Sequence, residues 1–126
     1  MNGQQPVKLT ISFIDPQLDD DNRDEQAQLF INELCQLGYV DTANRKQNSK
    51  LPEGSKGVGG MLVGVLTAEV KFTYAKKLLS FIGNRLSSRP IELEVETQKR
   101  RLKFSVSDHQ DLEKAIRLTQ EFLEQG

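Results

Sequence analysis

Ser107, Asp108 and His109 are the three side-chain types of a hydrolytic relay: a nucleophile, an orienting carboxylate and a general base. Such a relay needs members that converge from separately oriented backbones. Three consecutive residues do not meet that need, so the triplet reads as the start of a helix. Glu92, Glu94 and Glu96 share one side of an alternating run, where an acid/base pair could sit, but Arg101 and Lys103 alternate in the next run. An exposed cross-strand ion-pair ladder is expected instead. Cys35 is the lone cysteine, beside Ile31 and Leu34 with no cation near it in sequence, and reads as an inert, partly buried thiol. It excludes an intramolecular disulfide and a cysteine-rich zinc site. Asp19, Asp20, Asp21, Asp24 and Glu25 gather where a helix dipole favours negative charge, without the spacing or closing Glu of a calcium loop. No catalytic, metal or cofactor site is expected, and the chain is not expected to be an enzyme.

The Gly-rich run from Gly54 to Gly60 is the remaining candidate, because backbone amides at a helix start bind phosphate. It matches neither the P-loop nor the dinucleotide fingerprint. Gly54 to Gly57 does form a G-x-x-G with Lys56 inside. Between two helices, that is the position of the clamp with which KH domains hold single-stranded nucleic acid. Charge adds to this alternative: residues 45 to 89 carry nine basic and two acidic groups, a surplus of seven, within a chain of net charge -1. Phe72, Tyr74 and Phe81, however, are spaced for packing rather than for stacking bases.

The elements that must position these residues follow from periodicity. Val7, Leu9, Ile11 and Phe13 alternate with polar residues as in a half-buried strand, which Asp15-Pro16 ends. Asn22 with Glu25 resembles a capping box for a helix over about residues 23 to 37, stopped by Gly38. Residues 39 to 60 read mostly as loop, with an optional edge strand from Tyr39 to Arg45. Val58 to Leu86 reads as helix whose halves disagree in phase. Met61, Leu62, Val63, Val65, Leu66 and Val70 cluster on one side, and Tyr74, Ala75, Leu78, Leu79, Ile82 and Leu86 on the other. Either the helix breaks near Thr67 to Lys71 or it presents two apolar surfaces. Ile91, Leu93 and Val95, then Leu102, Phe104 and Val106, describe a hairpin turning at Gln98-Lys99, with Glu94 opposite Lys103. Ser107 or Asp108 caps a last helix with Leu112, Ala115, Ile116, Thr119, Phe122 and Leu123 on one stripe. The expected fold is α+β, a small, mainly antiparallel sheet with helices on one face, in the order β-α-(β)-α-β-β-α.

With 126 residues, of which 28% are charged and 37% hydrophobic, a single domain over 1-126 with its own core is expected. The polar start from Met1 to Pro6 suggests no signal peptide, and no apolar stretch approaches the ~18 residues of a membrane span. A cytoplasmic location is expected.

The layout resembles the effector-associated constant component, first type, of prokaryotic conflict systems. The likeness is carried by the strand Leu9 to Phe13, the loop Leu51-Pro52-Glu53-Gly54-Ser55-Lys56-Gly57, the expected small-residue and Leu/Val-rich helix from Gly60, the run Arg89-Pro90-Ile91-Glu92-Leu93-Glu94-Val95 and the Glu-rich final helix. It implies a non-enzymatic accessory protein of antiviral defence. Such a protein couples a trypsin-like or caspase-like peptidase effector, or an NTP-dependent regulator, to sensing through protein contacts. Glu69, Lys71, Lys76 and Lys77 depart from the family's alanine-rich central helix and argue against membrane insertion. The expected partner surface is the Gly-rich loop and the first half of the central helix: Lys56, Gly57, Met61, Leu62, Val65 and Leu66. Self-association through that surface is a further expectation, and the KH-like nucleic-acid reading is the alternative.

Overall fold

The alternation of Val7, Leu9, Ile11 and Phe13 places all four side chains on the buried side of the first strand, β1 (Pro6–Phe13). In the computed structural model, which describes residues 5–47, 61–86, 89–106 and 108–125, β1 is the central strand of a five-stranded sheet. The chain continues through α1 (Asp20–Cys35), β2 (Val40–Gln47), β3 (Met61–Lys71), α2 (Phe72–Arg85), β4 (Ile91–Glu96), β5 (Arg101–Val106) and α3 (His109–Gln125). The sheet order is β2-β3-β1-β4-β5, and every neighbouring pair is antiparallel. The α+β class and the order of elements stand as expected, and the stretch between the first two helices holds two strands.

The helix expected over Val58 to Leu86 is corrected. Among its described residues, Met61–Lys71 is strand β3 and Phe72–Arg85 is helix α2. Leu66, Ala68 and Val70 are buried, while Thr67 is half-buried and Glu69 and Lys71 are exposed, which is a period of two. Val63, Val65, Thr67 and Val70 are β-branched and lose rotamer freedom in a helix, and Gly64 weakens one further. The conflict of phase within the segment was therefore a change of period at Phe72, not a second apolar helix face.

The helices cover one face of the sheet. Ala27, Phe30, Ile31 and Leu34 of α1, Ala75, Leu78, Leu79 and Ile82 of α2, and Leu112, Ala115, Ile116 and Leu123 of α3 close over Val7, Leu9, Ile11, Leu66, Leu93 and Val95. Thr119 is buried among them, and its hydroxyl donates to the Ala115 carbonyl at 2.7 Å. α1 begins earlier than expected, because Asp19 rather than Asn22 is its N-cap, its carboxylate accepting from the Asn22 N–H at 2.8 Å. Asp108 serves α3 in the same way, accepting from the Asp111 N–H at 2.8 Å.

The hairpin has the expected register, with Leu93 opposite Phe104, Glu94 opposite Lys103 and Glu96 opposite Arg101. One ion pair, Arg101 with Glu96, joins direct partners, and the other two run along diagonals. Arg101 reaches Glu94 at 3.0 Å and Glu96 at 3.5 Å, and Lys103 lies 3.9 Å from Glu92. Strand twist brings diagonal neighbours within reach of long side chains.

Candidate functional site

Of the expected partner residues whose side chains are described, Leu62, Val65 and Leu66, the last two face opposite sides of the sheet. Lys56 and Gly57 lie outside the described residues, as does the whole G-x-x-G, and the elements flanking that segment are strands β2 and β3 rather than two helices. Met61 pairs with Gln47 at the start of β3. Leu66 is fully buried on the helix side, at 0% exposure, whereas its neighbour Val65 pairs with Ser12 and is half-buried. Leu62 is half-buried and Val63 exposed. A helical phase of 100° puts these residues together; a strand alternates them.

Beside them, β3 carries an irregularity against β2 between Arg45 and Gln47, where Gly64 adopts φ +66°. Asp24, from α1, holds this point. Its Oδ1 accepts from the Gly64 N–H at 2.7 Å and from the Arg45 guanidinium, which also donates to the Leu62 carbonyl at 3.3 Å. Asp24 thus ties α1 to both β2 and β3, so one member of the acidic run has a tertiary role that neither dipole nor calcium-loop arguments suggested.

A cleft opens on the other side of α1, at the end of the sheet where the Ile14 N–H donates to the Pro90 carbonyl at 3.2 Å. It has a volume of about 240 Å³. Buried Phe13, Phe30 and Leu86 form its apolar lining. Phe30 stands edge-on to Phe13, with centroids 6.4 Å apart, and stacks on Phe81 at 5.9 Å, so the aromatic floor is braced from both sides. Leu29 borders the cleft and is 54% exposed. The polar rim is Gln26, Glu33, Arg85 and Arg89. Arg85 is engaged by Glu33 at 2.6 Å, while Arg89 has no ion-pair partner among the described residues.

The outer surface of α1 continues from this cleft. After Glu25 its exposed positions are Gln28, Leu29, Asn32 and Cys35, followed by Gln36 at the C-cap, and none is a charged residue. Gln28 and Asn32 are joined by a side-chain hydrogen bond of 3.2 Å. By contrast α2 exposes Lys76, Lys77 and Arg85, and α3 exposes Asp111, Glu113, Lys114, Arg117, Glu121 and Glu124. Cys35 is exposed here rather than partly buried, because it falls outside the arc of Ala27, Phe30, Ile31 and Leu34. Sequence reasoning took α1 as a core helix and passed over Leu29; the available signal was its departure from that arc.

Other candidates hold structural roles. Asp108 is occupied as a cap, and the glutamate ladder as ion pairs. Tyr39 packs on Tyr74 with ring centroids 5.7 Å apart, Lys77 Nζ stands 4.8 Å from the Tyr39 centroid, and burial raises the Tyr39 phenol above its ordinary pKa. Among the described residues no group of three His, Cys, Asp or Glu side chains converges on a metal-sized site, and no helix is long and apolar enough to cross a membrane. Comparison with protein-family models, curated proteins and solved structures gives no match.

Proposed function

We propose that this chain is a non-enzymatic accessory protein that works by protein contacts, coupling a peptidase-type effector to its regulator in a prokaryotic conflict system, with the α1 face and its cleft as the contact surface. The observation carrying this reading is the outer face of α1 after Glu25, whose exposed positions are uncharged, with Leu29 at the lip of an aromatic-floored cleft. Centres of protein interfaces are depleted in charged residues, and an exposed apolar side chain beside a preformed apolar cleft suits an anchor contact. The contact surface of this proposal differs from the expected one, since Leu66 is core.

The test is to identify the genes beside this one and to co-express the chain with any peptidase or NTP-dependent regulator among them; the absence of both would count against the reading. Leu29→Asp should keep the native circular dichroism spectrum, as a substitution at an exposed position costs within about 0.5 kcal/mol, and should abolish co-purification. Association that survives Leu29→Asp would sink the α1 reading.

A further inference from the structure

We propose that the cleft recognises a partner segment in which a large apolar side chain is closely followed by a carboxylate, the apolar group seated on Phe30 and the carboxylate on Arg89. This rests on the reading of α1 as a protein-contact surface and specifies the chemistry of the partner.

Three observations converge on it. The first is size. About 240 Å³ is below the ~300 Å³ at which small-molecule pockets begin, and it is room for one bulky side chain. The floor is rigid, since Phe30 is held between Phe13 and Phe81, so an entering ring or branched side chain meets a surface that needs no rearrangement. The second is charge. Arg85 and Arg89 bring two positive charges to the rim and Glu33 removes one, leaving a single positive charge. The pair Arg85–Glu33 is already made, with Nε and Nη2 both 2.6 Å from Glu33 Oε1, so the group left to bind an incoming anion is Arg89. A guanidinium offers a planar fork that fits a carboxylate through two parallel hydrogen bonds.

The third observation is extent. Leu29 and the amides of Gln28, Asn32 and Gln36 carry the uncharged surface beyond the cleft along α1. A free aromatic acid would cover the cleft alone; a polypeptide would cover this strip as well. Gln26, on the rim, supplies an amide that both donates and accepts, as a peptide backbone requires.

The experiment is selection of a random dodecapeptide library on the full chain, followed by fluorescence polarisation with the enriched peptides. The expected result is an aromatic or leucine residue with Asp or Glu one to three positions later. Arg89→Glu should weaken such a peptide about tenfold or more, as loss of a charged hydrogen bond requires. Changing the peptide's acidic residue to Lys should weaken binding to the native chain and restore it to the Arg89→Glu variant. Leu29→Asp should abolish both. Enriched peptides without an acidic residue and indifferent to Arg89→Glu would overturn the proposal, as would no enrichment, or phenylpropanoate binding as tightly as the peptides. The two readings fail separately. If Leu29→Asp breaks association with the effector or regulator while Arg89 proves irrelevant, the contact surface stands and the carboxylate chemistry falls. If that association survives Leu29→Asp, the contact reading itself falls.

Discussion

Gly64 holds φ +66°, and a Cβ there would lie 3.0 Å from Arg23 Cβ and 3.2 Å from the Phe13 carbonyl oxygen. Both the backbone conformation and the neighbouring main chain oppose a side chain. Gly64→Ala should therefore cost at least about 2 kcal/mol, the left-handed conformation alone accounting for roughly 1–2, measured as a shift of the urea midpoint. A Cβ at Gly83 would also meet a neighbour, lying 2.7 Å from Ile116 Cδ1, but that atom is the far end of a flexible side chain. There Gly83→Ala gains up to about 1 kcal/mol of helix propensity against the displacement of Ile116, and the net change should stay within about 1 kcal/mol. The same urea measurement distinguishes the two glycines. Tyr39 provides a residue-scale test of pH. Burial raises its phenol in the folded state, so its contribution to stability is complete below the unfolded value of about 10 and is lost as pH rises through the folded one. Ultraviolet titration of the native chain against Tyr39→Phe should assign a phenolate that forms later than in the urea-unfolded protein.

Among the elements, the β4–β5 hairpin was legible in detail because turn and both faces specify one register: apolar Leu93 meets Phe104, acidic Glu96 meets Arg101, and the Thr97 N–H donates to the Arg100 carbonyl at 2.8 Å. The ion pairs were less legible, since pairing fixes which Cα atoms face each other but not the path of an arginine side chain. Arg101 chooses Glu94 and Glu96, and is itself well exposed. Arg101→Ala should lower stability by no more than about 1 kcal/mol, less in high salt, and leave partner binding intact; a larger loss in thermal unfolding would mean that the ladder has a further role. β3 was misread because Met61 to Val70 is apolar at many positions in succession, and a run without polar punctuation fits a helix or a buried strand equally. Its β-branched Val63, Val65 and Thr67 were the signal favouring the strand.

At the scale of the molecule, folding draws several described cations of the basic stretch 45 to 89 to different partners. Arg45 meets Asp24 and Arg85 meets Glu33, both on α1; Lys76 meets Glu124 on α3; Lys77 stands over the Tyr39 ring. Among the described residues, four of the cations in that stretch are thus engaged separately across three helices, which disfavours a continuous track for a phosphate backbone through them. Single-stranded RNA should accordingly bind weakly at low salt and not measurably at physiological salt; tight, steeply salt-dependent binding would return the nucleic-acid reading to first place. Core and surface should separate just as sharply: Leu66→Asp should unfold the chain by burying an unpaired charge, whereas Val63→Asp should leave its circular dichroism unchanged.

Periodicity and local chemistry were enough to specify β1, the hairpin, the stripe of α3 and the α+β class, because alternating and helical patterns act on neighbours along the chain. Asp24 gripping Gly64, Arg85 neutralised by Glu33 and the cleft that Phe13, Leu86 and Arg89 complete beside Phe30 were decided only in three dimensions. Each joins residues from elements whose relative placement depends on the packed core as a whole; spacing within α1 marks which of its faces is buried, but not which residues of other elements border the face left uncovered.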